Sequence, residues 1–400
     1  MNSHRIAKFT LLKQTQLDQD SMHSLLISLL RGLAALQVAA AHLRAEIFPS
    51  FKTVADPTLW YQALALATGF AHQAVVVFFL ISGWLVGGSL LNKMGQPDAL
   101  KLYAVDRVTR LWTVLIPTFG LIVLIGMVTN TIDPARPDLG SREAYSLLSF
   151  AGNLFGLQTI AVPNFGGNYV LWSLANESWY YLMFPLLVVG FTSGRWGKRA
   201  FAAAAFALSA AVVTFPILIY LAVWLMGAAF SRIKIDCSNT LRVLVFAVLA
   251  TVSLYYRVKG SNDDLVPASF VQDMIFSTVF LLFLSSMQFK PGGATRLFAR
   301  AKKFANFFSE FSFTLYVVHV PLIGLLTYYG LAWYGTRRLL PADGASALIY
   351  AGVLAGIVAF AYLFYLAFEA NTPRVRRLVK AHLLQGKTKG APASSMPAGS

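Results

Sequence analysis

The sequence holds one cysteine, Cys237, which excludes an intramolecular disulfide and any metal centre built on several thiolates. It is also poor in charge: only 12% of its 400 residues are Asp, Glu, Lys or Arg, against 57% hydrophobic. A soluble chain of this length could not cover its surface with so few charges. Acid is scarcest, with 17 Asp and Glu against 33 Lys and Arg, a net +16. That excess suits an anionic membrane face, an anionic substrate or nucleic acid. The basic residues are scattered between apolar runs rather than gathered in one domain, which argues against nucleic acid. Short alternating segments, the mark of an outer-membrane barrel, are missing. So are internal repeats and the paired, Gly/Pro-broken segments of inverted-repeat transporters.

What the chain does have is apolar length. A bilayer core about 30 Å thick needs about 20 mostly apolar residues per helix. Ten apolar stretches recur: Ser24–Leu43, Phe70–Leu91, Leu111–Asn130, Trp172–Phe191, Ala200–Thr214, Phe215–Phe230, Leu241–Tyr256, Phe270–Met287, Phe313–Trp333 and Ser346–Phe368. Helix is expected throughout, because unpaired backbone in lipid is too costly. The pair at Ala200–Phe230 also reads as one broken helix. Tyr145–Pro163 is interrupted by Gly, Asn and Gln and reads as re-entrant or interfacial.

With the N-terminus inside, the inner segments carry 24 basic and 7 acidic residues, and the outer segments 8 and 9. Arg31 and Glu177 remain within spans. This follows the positive-inside rule. The expected fold is therefore all-α: a polytopic membrane protein of about ten transmembrane helices with both termini cytoplasmic. Residues 1–23 are polar and form a cytoplasmic N-terminal segment, and the first apolar stretch is expected to stay as an anchor. Residues 24–377 form the membrane domain. Residues 378–400 end in an Ala/Ser/Pro/Gly/Lys-rich run and are expected to be a disordered cytoplasmic tail.

An ionisable residue inside a span is costly, so each one is a candidate for function. Arg31 and His42 are eleven residues apart, three turns plus about 20°, so they share a face about 16 Å apart along the axis. Snorkelling by Arg31 and helix capping by His42 would also explain them. His72, near the outer end of the second span, reads as a satisfied interfacial histidine. Arg107 and Arg110, three apart, suit phosphate binding, and equally suit positive-inside anchoring. Ser173, Glu177 and Tyr181 fall at i, i+4, i+8 on one helix face. Glu177, read as the one acid well inside a span, would orient a histidine, bind a substrate hydroxyl or clamp two helices. Tyr316 and His319, three apart, would contact substrate in a shared cavity or bond another helix.

In order, these segments resemble the acyltransferase 3 family of integral-membrane O-acyltransferases, which acetylate bacterial surface polysaccharides and related glycans. The resemblance rests on Arg31-Gly-Leu-Ala-Ala-Leu with His42, and on Phe78-Phe79-Leu-Ile-Ser82-Gly83. It continues in Arg107-x-x-Arg110-Leu with Pro117, in Trp172-Ser173-Leu with Glu177, and in Ser312 through Tyr316 to His319. Phe368-Glu369 followed by Pro373 resembles the family's ending, so the resemblance runs from about 24 to 377. Trp84, Val76 and Ala74 stand where the family usually has Phe, Asp and Gly. The appended hydrolase-like domain of some members is not expected here.

The resemblance implies a multi-pass protein of the bacterial inner membrane with no tightly bound cofactor. Acyl-CoA, in the first instance acetyl-CoA, is the implied donor from the cytoplasm, and a glycan hydroxyl the implied acceptor. His42 is then the general base, a role that suits an imidazole, with direct transfer and an acyl-histidine intermediate both open, and Glu177 holds that imidazole or the acceptor hydroxyl. Arg31, Arg107 and Arg110 would meet the donor's phosphates. Ser82, Trp172, Ser173, Tyr181, Tyr316 and His319 would bind substrate. The competing class is a transporter or flippase of a glycan or small solute, since polar intramembrane residues line solute paths too.

Overall fold

The computed structural model describes residues 7–16, 18, 20–132, 142–260, 265–291, 296–334, 338–341 and 344–385. A short strand, β1 (Ala7–Leu11), precedes α1 (Met22–Ile47), and α2 (Leu59–Ala67) lies beyond it. The second long rod is α3 (Ala71–Ser82), a π-helical turn at Gly83–Gly87, and α4 (Gly88–Lys93). Then come α5 (Ala99–Val128), the short α6 (Leu147–Leu154), α7 (Leu171–Thr192), α8 (Trp196–Val212) and α9 (Phe215–Phe230). Strand β2 (Ile233–Cys237) leads into α10 (Asn239–Lys259), α11 (Phe270–Ser286), α12 (Arg296–Glu310), α13 (Ser312–Tyr334), α14 (Gly344–Ala367) and α15 (Thr372–Gln385).

Each of the ten apolar stretches falls on a helix. Among the described residues, seven continuous helical segments are long and apolar enough to cross a membrane by length and composition. They exclude α7, α8 and α9, the last two being 17 and 16 residues long. Ala200–Phe230 is two helices, parted at Val213 and Thr214. Tyr145–Pro163 supplies only α6 and a set of turns, pinned where Gln158 Nε2 donates to the Leu171 carbonyl at 2.7 Å.

Among the described residues the only sheet is a ribbon in which β1 pairs antiparallel with β2, Ala7 opposite Cys237 and Leu11 opposite Ile233. It ties the N-terminal segment to the α9–α10 connection. Asn92 and Thr15 close the same corner with reciprocal bonds of 2.9 and 3.0 Å. The tail is ordered further than its composition suggested. Helix α15 continues to Gln385 and packs on α5, where Arg376 and Lys380 both reach Asp106 at 3.3 and 2.6 Å. Residues 386–400 of the expected disordered tail lie outside the described residues.

Helix α1 runs through the centre and packs on α3, α12, α13 and α14, while α9 and α11 back α3 from the far side. Apolar side chains also point outward, among them Phe191, Phe201, Val243 and Phe246, as lipid contact requires. Backbones come close where α3 and the turn after it meet α9. Gly83 faces the Trp224 carbonyl and Gly227 faces the Leu80 carbonyl, so a Cβ on either would overlap opposing backbone. Gly83→Ala is accordingly expected to cost about 1–3 kcal/mol through overpacking. Gly120→Ala, where a Cβ meets nothing within 4 Å, should leave stability equal or slightly raised. Thermal unfolding of the two variants in one detergent checks this. Equal melting temperatures would refute the close-approach account.

Candidate active site

Helix α1 brings Arg31 and His42 to one side, and α13 meets its outer half. There His42 Nδ1 lies 2.8 Å from His319 Nε2, and the two rings stack at 5.1 Å. His319 Nδ1 lies 3.0 Å from the carbonyl of Leu315, one turn back on its own helix. A carbonyl only accepts, so His319 Nδ1 carries the proton and its Nε2 is the acceptor. His42 therefore donates from Nδ1, and its Nε2 keeps the lone pair. The Tyr169 ring stands edge-on to His42 at 5.1 Å. Its loop is pinned to α13 by Asn168 Nδ2, which donates to the Val317 carbonyl at 2.9 Å.

His42, Tyr169, Trp172, His72, Val75 and Tyr316 line an outer cavity of about 260 Å³. Val75 and Tyr316 also line a central cavity of about 430 Å³, walled by apolar Phe78, Phe79 and Phe313. Its polar lining comes from α1 (Arg31), α3 (Ser82), α4 (Ser89), α5 (Arg107, Arg110), α7 (Ser173, Glu177, Tyr181) and α13 (Ser312, Tyr316). Arg31 and Arg110 are shared in turn with an inner, mainly polar cavity of about 470 Å³, which Lys302 and Arg376 also line. The three cavities thus lie in series, meeting first at the two arginines and then at Val75 and Tyr316.

In the central cavity Glu177 accepts from Ser82 Oγ at 2.5 Å and from the Tyr181 hydroxyl. Trp224 Nε1 donates to the same Ser82 oxygen at 3.1 Å. The Arg107 guanidinium lies over the Tyr181 ring at 5.5 Å. Arg110 Nη1 pairs with Glu369 Oε1 at 2.9 Å, and Glu369 Oε2 accepts from Thr314 Oγ1 at 2.6 Å. Among the described residues no carboxylate forms an ion pair with Arg31. Ser173 Oγ lies 2.7 Å from the Tyr316 hydroxyl.

Most of the predicted residues line these cavities; His319 does not, being fully buried and bonded to His42 and its own helix rather than facing a substrate space. Glu177 does not hold the His42 imidazole: that place belongs to His319, and Glu177 is bound to Ser82 and Tyr181. Trp172 sits in the outer cavity, whereas Ser173 faces the central one. Nor is Glu177 alone as an acid within the helical body. Asp273 and Glu369 are 2% and 3% exposed, deeper than Glu177. Asp273 Oδ1 lies 2.8 Å from His72 Nε2, and its Oδ2 accepts from the Tyr220 hydroxyl at 2.5 Å. This pair was not found from sequence, because both residues stand near the ends of apolar runs, where exposure is the ordinary outcome. A histidine and an acid at the same outer level of two spans were the available signal.

Comparison with known proteins identifies the family. The family model described as an acyltransferase domain matches residues 25–366, nearly the whole chain. An uncharacterized protein of Haemophilus influenzae is 29% identical over 119 residues, covering 28% of this chain. The match spans about half (47%) of that relative's own length. No solved structure matches.

Proposed function

The chain belongs to the acyltransferase 3 family, and from that premise we propose that it moves an acyl group, acetyl in the first instance, from cytoplasmic acyl-CoA to a hydroxyl of a cell-surface or exported glycan. As an integral-membrane acyltransferase it is read here with ten spans, both termini cytoplasmic, in a bacterial inner membrane. The observation that carries the reading is the series of cavities from Arg31 and Arg110 to His42. Acyl transfer between two soluble compartments needs two separate approaches that meet at one base.

In this reading the inner cavity takes the donor's phosphates, with Arg31, Arg110 and Arg107 as guanidinium partners. The apolar central cavity takes the donor's pantetheine arm. The glycan enters the outer cavity, against Trp172 and Tyr169, and presents a hydroxyl to His42 Nε2. His42 takes the hydroxyl proton, and His319 fixes the ring so that Nε2 is the basic nitrogen. Glu177, held by Ser82 and Tyr181, sets the electrostatics of the central cavity and orients the donor beside Arg107.

The test is CoA release from acetyl-CoA by the purified chain in proteoliposomes, with and without a glycan extract of the native envelope. Release that depends on the extract, with acetyl ester appearing on the glycan, is the expected result. Counterflow of a glycan or solute without CoA release would replace this reading with transport.

A further inference from the structure

We propose that the Tyr316 hydroxyl is the oxyanion donor of the acyl-transfer step, an assignment that rests on the acyltransferase reading above. The thioester carbonyl reaches from the central cavity and the acceptor hydroxyl from the outer one, so they meet where the two cavities join. Only Val75 and Tyr316 are common to both linings, and Tyr316 alone of the two is polar. A tetrahedral intermediate needs a fixed hydrogen-bond donor at that point, because its negative charge develops on the former carbonyl oxygen.

The phenol is built for that purpose. Its ring is 6% exposed, packed edge-on against Phe78 at 5.8 Å and against His319 at 6.0 Å. The ring that orients His42 therefore also positions Tyr316. The Tyr316 oxygen lies 2.7 Å from Ser173 Oγ, and the Val170 carbonyl is 3.3 Å from the phenol and 3.2 Å from Ser173. Each hydroxyl has one proton, and a carbonyl only accepts. When Ser173 donates to the Tyr316 oxygen, the phenolic proton must go to a third atom, and the pair polarises it. In that arrangement the Val170 oxygen, 3.3 Å away, is an acceptor within reach in the resting protein. In the reacting complex the third atom is the substrate oxygen.

The step balances. The acceptor hydroxyl proton passes to His42 Nε2, and the acceptor oxygen bonds the thioester carbonyl carbon. The carbonyl π pair moves onto oxygen, facing Tyr316. Collapse restores the carbonyl and breaks the carbon–sulfur bond, and the sulfur leaves with the proton held by His42.

The test uses full-length protein in inside-out vesicles from the native host, with radiolabelled acetyl-CoA as the probe and the vesicles' own glycan as acceptor. Tyr316→Phe should lower kcat by about 10²- to 10³-fold and leave the apparent KM for acetyl-CoA unchanged. Ser173→Ala, which keeps the phenol, should give a smaller loss. Fluorotyrosines placed at 316 keep the shape and change the acidity, so kcat should follow phenol acidity. A purely structural role would not produce that dependence. Undiminished kcat in Tyr316→Phe, a loss confined to KM, or rates indifferent to phenol acidity would overturn the assignment. Where Tyr316→Phe fails to insert, the fluorotyrosine series decides. Absence of label transfer by the wild-type chain would instead overturn the functional reading, and this assignment with it.

Discussion

His42→Ala should lower acyl transfer by about 10²- to 10⁴-fold, the usual contribution of a positioned general base. The loss should fall on kcat, with CoA binding intact, because His42 lies about 16 Å along α1 from Arg31. His319→Phe offers a graded comparison. It keeps the His42 base but removes the acceptor that holds His42 Nδ1–H, 2.8 Å away. Without it the imidazole loses its fixed tautomer and orientation. Its rate should therefore fall between wild type and His42→Ala. Label transfer from acetyl-CoA to glycan measures both variants, with membrane insertion checked by protease protection. A His42→Ala enzyme that keeps its rate would remove the base from the mechanism.

The second large effect is expected at Arg31. Arg31→Ala should raise the apparent KM for the acyl donor by about tenfold to a hundredfold, the loss of a charge-assisted phosphate contact of about 1.5–3 kcal/mol. It should change kcat little. Arg31 is a cleaner test than Arg110, because among the described residues it has no ion-pair partner to strand, and cleaner than Arg107, whose guanidinium also packs on the rings of Tyr103 and Tyr181. Removing Arg110 instead leaves Glu369 buried without its cation, which lowers stability as well as binding. Titration of CoA by calorimetry separates the two outcomes. Equal CoA affinity in Arg31→Ala and wild type would return Arg31 to the role of an anchor.

The helices, and the two residues of α1 that head the site, were legible because they depend on spacing within one helix. Apolar run length places most of the long helices within about four residues at each end, but misses the first twelve residues of α5, where Lys101, Asp106 and Arg107 make the sequence polar, and the eleven-residue interval puts Arg31 and His42 on one face. The pairings between helices were not legible. His42 and His319 are 277 residues apart, and no local rule links them. For the same reason the sequence leaves Glu177 open between an imidazole, a substrate hydroxyl and a clamp between helices, and does not point to Ser82, which lies on another helix. Asp273 was counted with the outer-segment acids because its burial depends on α3 and α9, which supply His72 and Tyr220. The end of the chain misled through composition. The polar run after Gln385 obscured a helix whose order comes from Asp106 on α5.

The thin partition at Val75 and Tyr316 also has an electrical consequence. The outer cavity lies on one side of it, and the central cavity, with the polar inner cavity behind, on the other; water in these spaces would narrow the stretch of low dielectric across which a membrane voltage must drop. A unit charge crossing that field would do or receive about 2.3 kcal/mol of work per 100 mV. In the proposed reaction no net charge crosses: the donor's phosphates stop at the arginines, and the acyl group that moves out to the acceptor oxygen is exchanged for the proton that moves in, through His42, to the departing sulfur. Acylation of the outer substrate would then proceed at the same driving force in an energised cell and in a depolarised one.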